Sequence, residues 1–147
     1  MRRGLSLLEV LVVLALLGLL AGLFLTGYTR LQDQAKLTEA ARSLALGLQQ
    51  ARAEARAANE PRCVKVFPSG SGPGGYAIGT SCSLLRTPSR TLRGVELSTE
   101  TGNAVEVEYR GPYGEAIRGL GSSFHLSLKE RTRTVSVVGP LGRTVVR

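Results

Sequence analysis

The chain has a single histidine, His125, and only two cysteines, Cys63 and Cys82, among 147 residues. With so few imidazole and thiolate ligands it carries no zinc motif. No Ser/His/Asp grouping can be assembled around the one imidazole either. No glycine-rich loop is followed by Lys-Ser or Lys-Thr, which excludes the phosphate cradle of that type. The glycine-rich stretch 69–75, SGSGPGG, lies between short strand-like runs and precedes no helix, so it reads as a hairpin turn. His125 falls on an alternating run and reads as a solvent-facing residue. Neither an enzymatic activity nor a cofactor or metal is expected.

Charge is missing from Val10 to Thr29, and proline is missing from Leu5 to Glu60. Twenty uncharged residues are long enough to cross a bilayer core of roughly 30 Å as a helix. The run is not followed by the paired small residues of a secretory cleavage site. Ahead of it stand Arg2 and Arg3, which place the N-terminus in the cytoplasm and the bulk of the chain outside. Glu9 is the one carboxylate at the edge of the run. In a spanning helix a carboxylate costs about 2.5–3.5 kcal/mol at mid-span and less near the end, so it is a candidate functional group. Gly18 and Gly22 form a small-xxx-small pair, either a packing face between subunits or the ordinary glycine content of a spanning helix.

Beyond the run the helical pattern continues and becomes one-sided. Leu37, Ala41, Leu44, Leu48, Ala51 and Ala55 recur at spacings of four and three, one face of an amphipathic helix. Asn59 and Pro61 end it, since Asn tolerates a left-handed cap and Pro follows a helix end. From Arg62 the period changes to two. Short runs at 63–67, 76–80, 92–98, 104–109, 123–128, 133–138 and 143–146 are rich in Val, Leu and Thr. SGSGPGG, GPYG at 111–114 and GPLG at 139–142 separate several of them. The expected fold is α+β: a long N-terminal helix, membrane-spanning in its first half, packed through its second half on a small antiparallel β-domain built as one meander or two small sheets. The domain organisation is a helix over 5–60, with a transmembrane segment at about 10–29, and a β-rich globular domain over 61–147.

Outside the cytoplasm two thiols can pair. A Cys63–Cys82 disulfide would close a loop of about 20 residues, contributing roughly 3 kcal/mol on the chain-entropy model. It is favoured over two free thiols. The net charge is +8, and residues 110–147 carry seven basic side chains against Glu115 and Glu130. Arg131 and Arg133 are expected in a turn, and Arg143 follows the GPLG turn. Such residues contact phosphate without reading sequence, or simply form a solvated basic surface.

The opening residues MRRGLSLLE resemble the processing site of type IV prepilins and pseudopilins. The resemblance implies that residues 1–4 are a leader, that a prepilin peptidase cuts after Gly4, and that Leu5 becomes the methylated first residue. Leu5 stands where most members have phenylalanine. Glu9 would then be the glutamate at the fifth mature position that is used in filament assembly. The order of strands and turns in 110–147, with the helix end around Ala51–Ala55, is similar to the minor pilins and pseudopilins that include FimT and the secretion-system H subunit. By that resemblance the chain is a minor pilin of a type IV pilus, assisting DNA uptake, or an H-type pseudopilin of type II secretion. Expected partners are other pilin or pseudopilin subunits, the prepilin peptidase, the inner-membrane assembly platform, membrane lipid and DNA. The expected location is the inner membrane, single-pass, with the C-terminal domain in the periplasm, before assembly into a filament. FimT-like members carry a DNA-binding Gly-Arg-x-Arg segment. Gly142 and Arg143 match it, but Val145 replaces the second arginine and Arg147 comes two places later; with the basic pair Arg131 and Arg133, the candidate DNA contacts are Arg131, Arg133, Arg143 and Arg147.

Overall fold

The computed structural model describes residues 7–147, and the side chains of residues 23–27 and 71 are outside the description. Helix α1 runs Leu7–Ala58. Its residues to Ala35 belong to one compact unit and those from Lys36 to a second. In the first unit the helix is apolar and exposed: Leu7, Leu11, Leu14, Leu16 and Leu19 are all at least 58% accessible. Among the described residues no helix is long and apolar enough to cross a membrane. The predicted span includes residues 23–27, whose side chains lie outside the description.

In the second unit the expected stripe is buried. Leu37, Ala41, Leu44, Leu48, Ala51 and Ala55 are in the core, joined by Ala40 and Ala45. Five alanines and one glycine on or beside this stripe keep it thin, which lets a sheet approach closely. At Gly47 the approach is tightest, because a Cβ there would overlap the Tyr76 ring. Tyr76 fixes that contact by donating its hydroxyl to the Ser43 carbonyl at 2.9 Å. The helix ends where Asn59 turns left-handed at φ 53°, as the sequence suggests, two residues before the predicted limit of Glu60. Arg56 in the last turn complements the helix dipole.

The β-domain holds nine strands among the described residues, in two sheets. β1 Arg62–Phe67, β2 Gly75–Gly79, β3 Arg90–Thr91, β5 Val105–Arg110 and β6 Glu115–Arg118 form the first, in the order β3-β2-β1-β5-β6. β4 Glu96–Thr99, β7 Ser123–Leu128, β8 Arg131–Val138 and β9 Arg143–Val146 form the second, in the order β4-β7-β8-β9. All pairings are antiparallel. Period-two patterning sorts the side chains. Val64, Val66, Tyr76, Val107 and Tyr109 from the first sheet, and Leu97, Phe124, Leu126, Val135 and Val137 from the second, share one core with the helix stripe.

Three differences from the sequence expectation have local causes. The run 92–98 is not one strand. Its first half, residues 92–95, is a turn through Gly94 at φ 74°, which carries the chain from β3 in the first sheet to β4 in the second. β6 escapes periodicity because it is short and buries only Ala116. Arg131 and Arg133 are not in a turn. The β7–β8 connection has just two residues, Lys129 (φ 56°) and Glu130, and both arginines already lie on β8.

Candidate functional site

Gly4 and Leu5, the proposed processing junction, and the rest of the leader lie outside the described residues. Glu9 lies in the first described turn of α1, exposed among exposed Leu8, Val10, Leu11, Val12 and Val13. The next cation along the chain is Arg30, about 30 Å away at 1.5 Å rise per residue. A Cβ at Gly18 or Gly22 would meet nothing within 4 Å, so both notches face outward from the helix. Exposed leucines, open glycine notches and one carboxylate make a surface suited to other apolar helices, with a single demand for a positive group.

Cys63 and Cys82 are joined in a disulfide, with Cα atoms 5.3 Å apart. Cys63 lies on the face of β1 turned away from the helix. The bond therefore ties the segment after β2 across the outside of the first sheet. Beside it, cations on that sheet face are already engaged: Lys65 pairs with Glu106 at 2.9 Å, and Arg118 lies 3.9 Å from Glu106 and 3.8 Å from Glu108.

The four arginines expected to contact DNA do not form one surface. On β8, Arg131 stands beside Leu128 and Arg133 beside Leu126, on the face that continues into buried Val135 and Val137. On β9, Arg143 stands beside Val138, and Arg147 exchanges backbone hydrogen bonds with Thr134. Alternation puts this second pair on the opposite face of the same sheet. His125 is also on that face, half-buried, its Nδ1 3.1 Å from Thr134 Oγ1. SGSGPGG forms a short 3-10 turn and a bend, walling an open groove of about 730 Å³ with Arg93, Glu96 and Lys129 on its lining. Among the described residues no His/Cys/Asp/Glu cluster could hold a metal.

A stronger cationic stretch escapes a count confined to the last third of the chain. Residues 61–95 contain no acidic residue at all, and Arg86, Arg90 and Arg93 within them are exposed. None of these three guanidinium groups forms an ion pair or hydrogen bond with a described residue. The signal was the absence of carboxylates rather than the density of arginine.

Among the described residues, Tyr109 is the one buried polar side chain without a hydrogen-bond partner. Burial pushes its phenol up to about 12, against smaller opposing effects of the Thr144 hydroxyl and the Arg52 guanidinium, and no group meets its Oη in hydrogen-bond geometry. Below the ordinary tyrosine value of 10.0 the phenol is neutral whether folded or unfolded. As pH rises from there through about 12 the unfolded chain ionises first, and stability falls by about 2–3 kcal/mol. Tyr109→Phe should flatten this alkaline loss and leave neutral stability intact. Thermal unfolding measured across that range checks it, and identical slopes for the two proteins would refute the assignment.

The N-terminus matches a family model described as the prokaryotic N-terminal methylation motif, over residues 1–25. Two crystal forms of the type IV minor pilin FimU of Pseudomonas aeruginosa share the fold. One aligns at a TM-score of 0.62 and 18% identity, covering 78% of this chain and 90% of that one. The other gives 0.57 and 18%, covering 76% and 92%. The fold is that of a type IV minor pilin. A search of the curated proteins gives no match. In this pilin-like fold the motif's described residues, from Leu7, lie on α1, and the β-domain packs on the buried stripe from Leu37 to Ala55 of the same helix.

Proposed function

We propose that this chain is a minor structural subunit of a type IV pilus or related filament, held in the inner membrane by residues 10–29 until it is assembled. The observation that carries the reading is Glu9, a lone carboxylate on an exposed apolar helix surface whose sequence matches the methylation motif. Prepilin peptidase cleaves between Gly4 and Leu5, the new amine is methylated, and the assembly platform passes the subunit from bilayer to filament. Within the filament Glu9 meets the amine of a neighbouring subunit, which supplies the positive group that its own helix lacks. An H-type pseudopilin would use the same parts. The compartment from which mature protein is recovered separates the two readings.

The test is intact-mass measurement of protein from native membranes and from sheared surface filaments. Mature chain should begin at Leu5 with a methylated amine in both fractions. Chain retaining Met1–Gly4 in a peptidase-competent cell would defeat the prepilin reading.

A further inference from the structure

The loop from Cys82 to Arg93 is held open by its own anchors. Cys82 is tied to β1 by the disulfide, and a 3-10 turn, Cys82–Leu84, is closed by the Leu85 N–H donating to the Cys82 carbonyl at 3.2 Å. Leu85 folds onto β2, where a Cβ at Gly79 would lie 3.0 Å from its side chain. Arg90 and Thr91 pair with Tyr76 and Gly75, and the Leu92 N–H donates to the Gly74 carbonyl at 2.8 Å. Pinned at both ends and in the middle, the loop turns Leu84 outward at 75% accessibility, the most exposed large apolar side chain among the described residues of the second unit. Arg86, Arg90 and Arg93 are exposed on the same loop; no carboxylate lies between Pro61 and Val95, and Glu39 and Glu96, which line grooves beside Arg93, form no ion pair with it.

Arg90 on the edge strand β3, with Arg86 and Arg93 flanking it, also discourages sheet-to-sheet pairing, as edge charges do. That role does not explain an apolar side chain held out beside them. We infer that this loop is an interfacial docking site for anionic phospholipid: Leu84 enters the headgroup boundary while the three guanidinium groups contact lipid phosphates. An apolar projection among basic side chains combines the two contributions that bind protein to an anionic membrane surface. Nucleic acid fits less well, because the loop has no aromatic side chain on which a base could stack and a projecting leucine gains nothing in a phosphate groove. The inference rests on the membrane-anchored reading, since a chain tethered in a bilayer meets lipid at high effective concentration. Docking would hold the unassembled subunit on the membrane surface until extraction. Each basic side chain near an anionic surface strengthens binding roughly fivefold, so three contribute about a hundredfold.

The chain has no tryptophan, so Leu84→Trp gives a single reporter. The full chain is reconstituted in nanodiscs of phosphatidylcholine alone or mixed with phosphatidylglycerol. Co-elution with the discs reads the anchor. Blue-shifted emission, quenched by brominated lipid only in the anionic discs and restored by high salt, reads the docking. Replacing Arg86, Arg90 and Arg93 with Gln should abolish the shift while co-elution persists. The same emission in both discs, or a shift that survives the triple substitution, overturns the inference. An arginine-dependent change on adding duplex DNA to neutral discs, without one in anionic discs, overturns it in favour of nucleic acid. If the chain fails to enter discs the anchor reading falls by itself, and flotation with anionic against neutral vesicles still decides the loop.

Discussion

Glu9→Val should enter the membrane as well as the native chain and be depleted from filaments by at least roughly tenfold, a factor equal to about 1.4 kcal/mol. The two halves of that expectation have different origins. Insertion gains, because valine removes a carboxylate that opposes burial in lipid. Assembly loses, because the neighbour's amine is left buried without its partner. Breaking one side of a buried ion pair costs about 3–5 kcal/mol, more than the tenfold effect requires. The helix itself offers no substitute: from Val10 to Thr29 it has no charge of either sign. Quantifying the variant in membrane and sheared-filament fractions of the same cells separates the effects. Equal recovery in both fractions would remove the ion-pair mechanism for this subunit.

The helix was legible because its two signals are redundant: a charge-free run, then a 3-4 stripe whose six named positions are all buried. The strands were legible where one face is apolar, as at Phe124 and Leu126, and β7 and β9 begin and end where the alternation does. What failed was whatever depends on partners far away in sequence. The run 92–98 was read through Gly94 as one strand, because nothing local marks Gly94 as the point where the chain changes sheets. β6 has only Ala116 to bury, so its pairing with β5 supplies an order that its own pattern lacks. The arginines show the same limit at the surface. Arg131 and Arg143 are near each other in sequence, yet one lies on each face, because the parity of strand positions decides the side. The disulfide was foreseeable from compartment and loop length. Its consequence, a loop braced across the first sheet with Leu84 outward, depended on where β2 and β3 lie.

Replacing both Cys63 and Cys82 with Ala should destabilise the folded unit by about 3 kcal/mol, the chain-entropy value for a loop of this length. For a unit of this size that is a fall in Tm of roughly 10 °C or more. The side chains themselves are small and buried, so alanine leaves little cavity and the loss reports the cross-link. The effect should also be uneven. The second sheet has no covalent tie to the loop, whereas residues 82–89 keep the Leu85 contact at Gly79, the Pro88 contact at Gly75, the Ser81–Ser83 hydroxyl pair and the Ser89 hydroxyl's bond to the Tyr76 carbonyl at 3.4 Å. Limited proteolysis at Arg86 should therefore quicken well below the unfolding temperature, and the native protein should resist. In the oxidised chain neither cysteine should alkylate, folded or unfolded, until a reductant is added. A double variant with unchanged Tm and unchanged cleavage at Arg86 would show that the sheet contacts alone hold the loop, and that the bond adds nothing beyond two buried small residues.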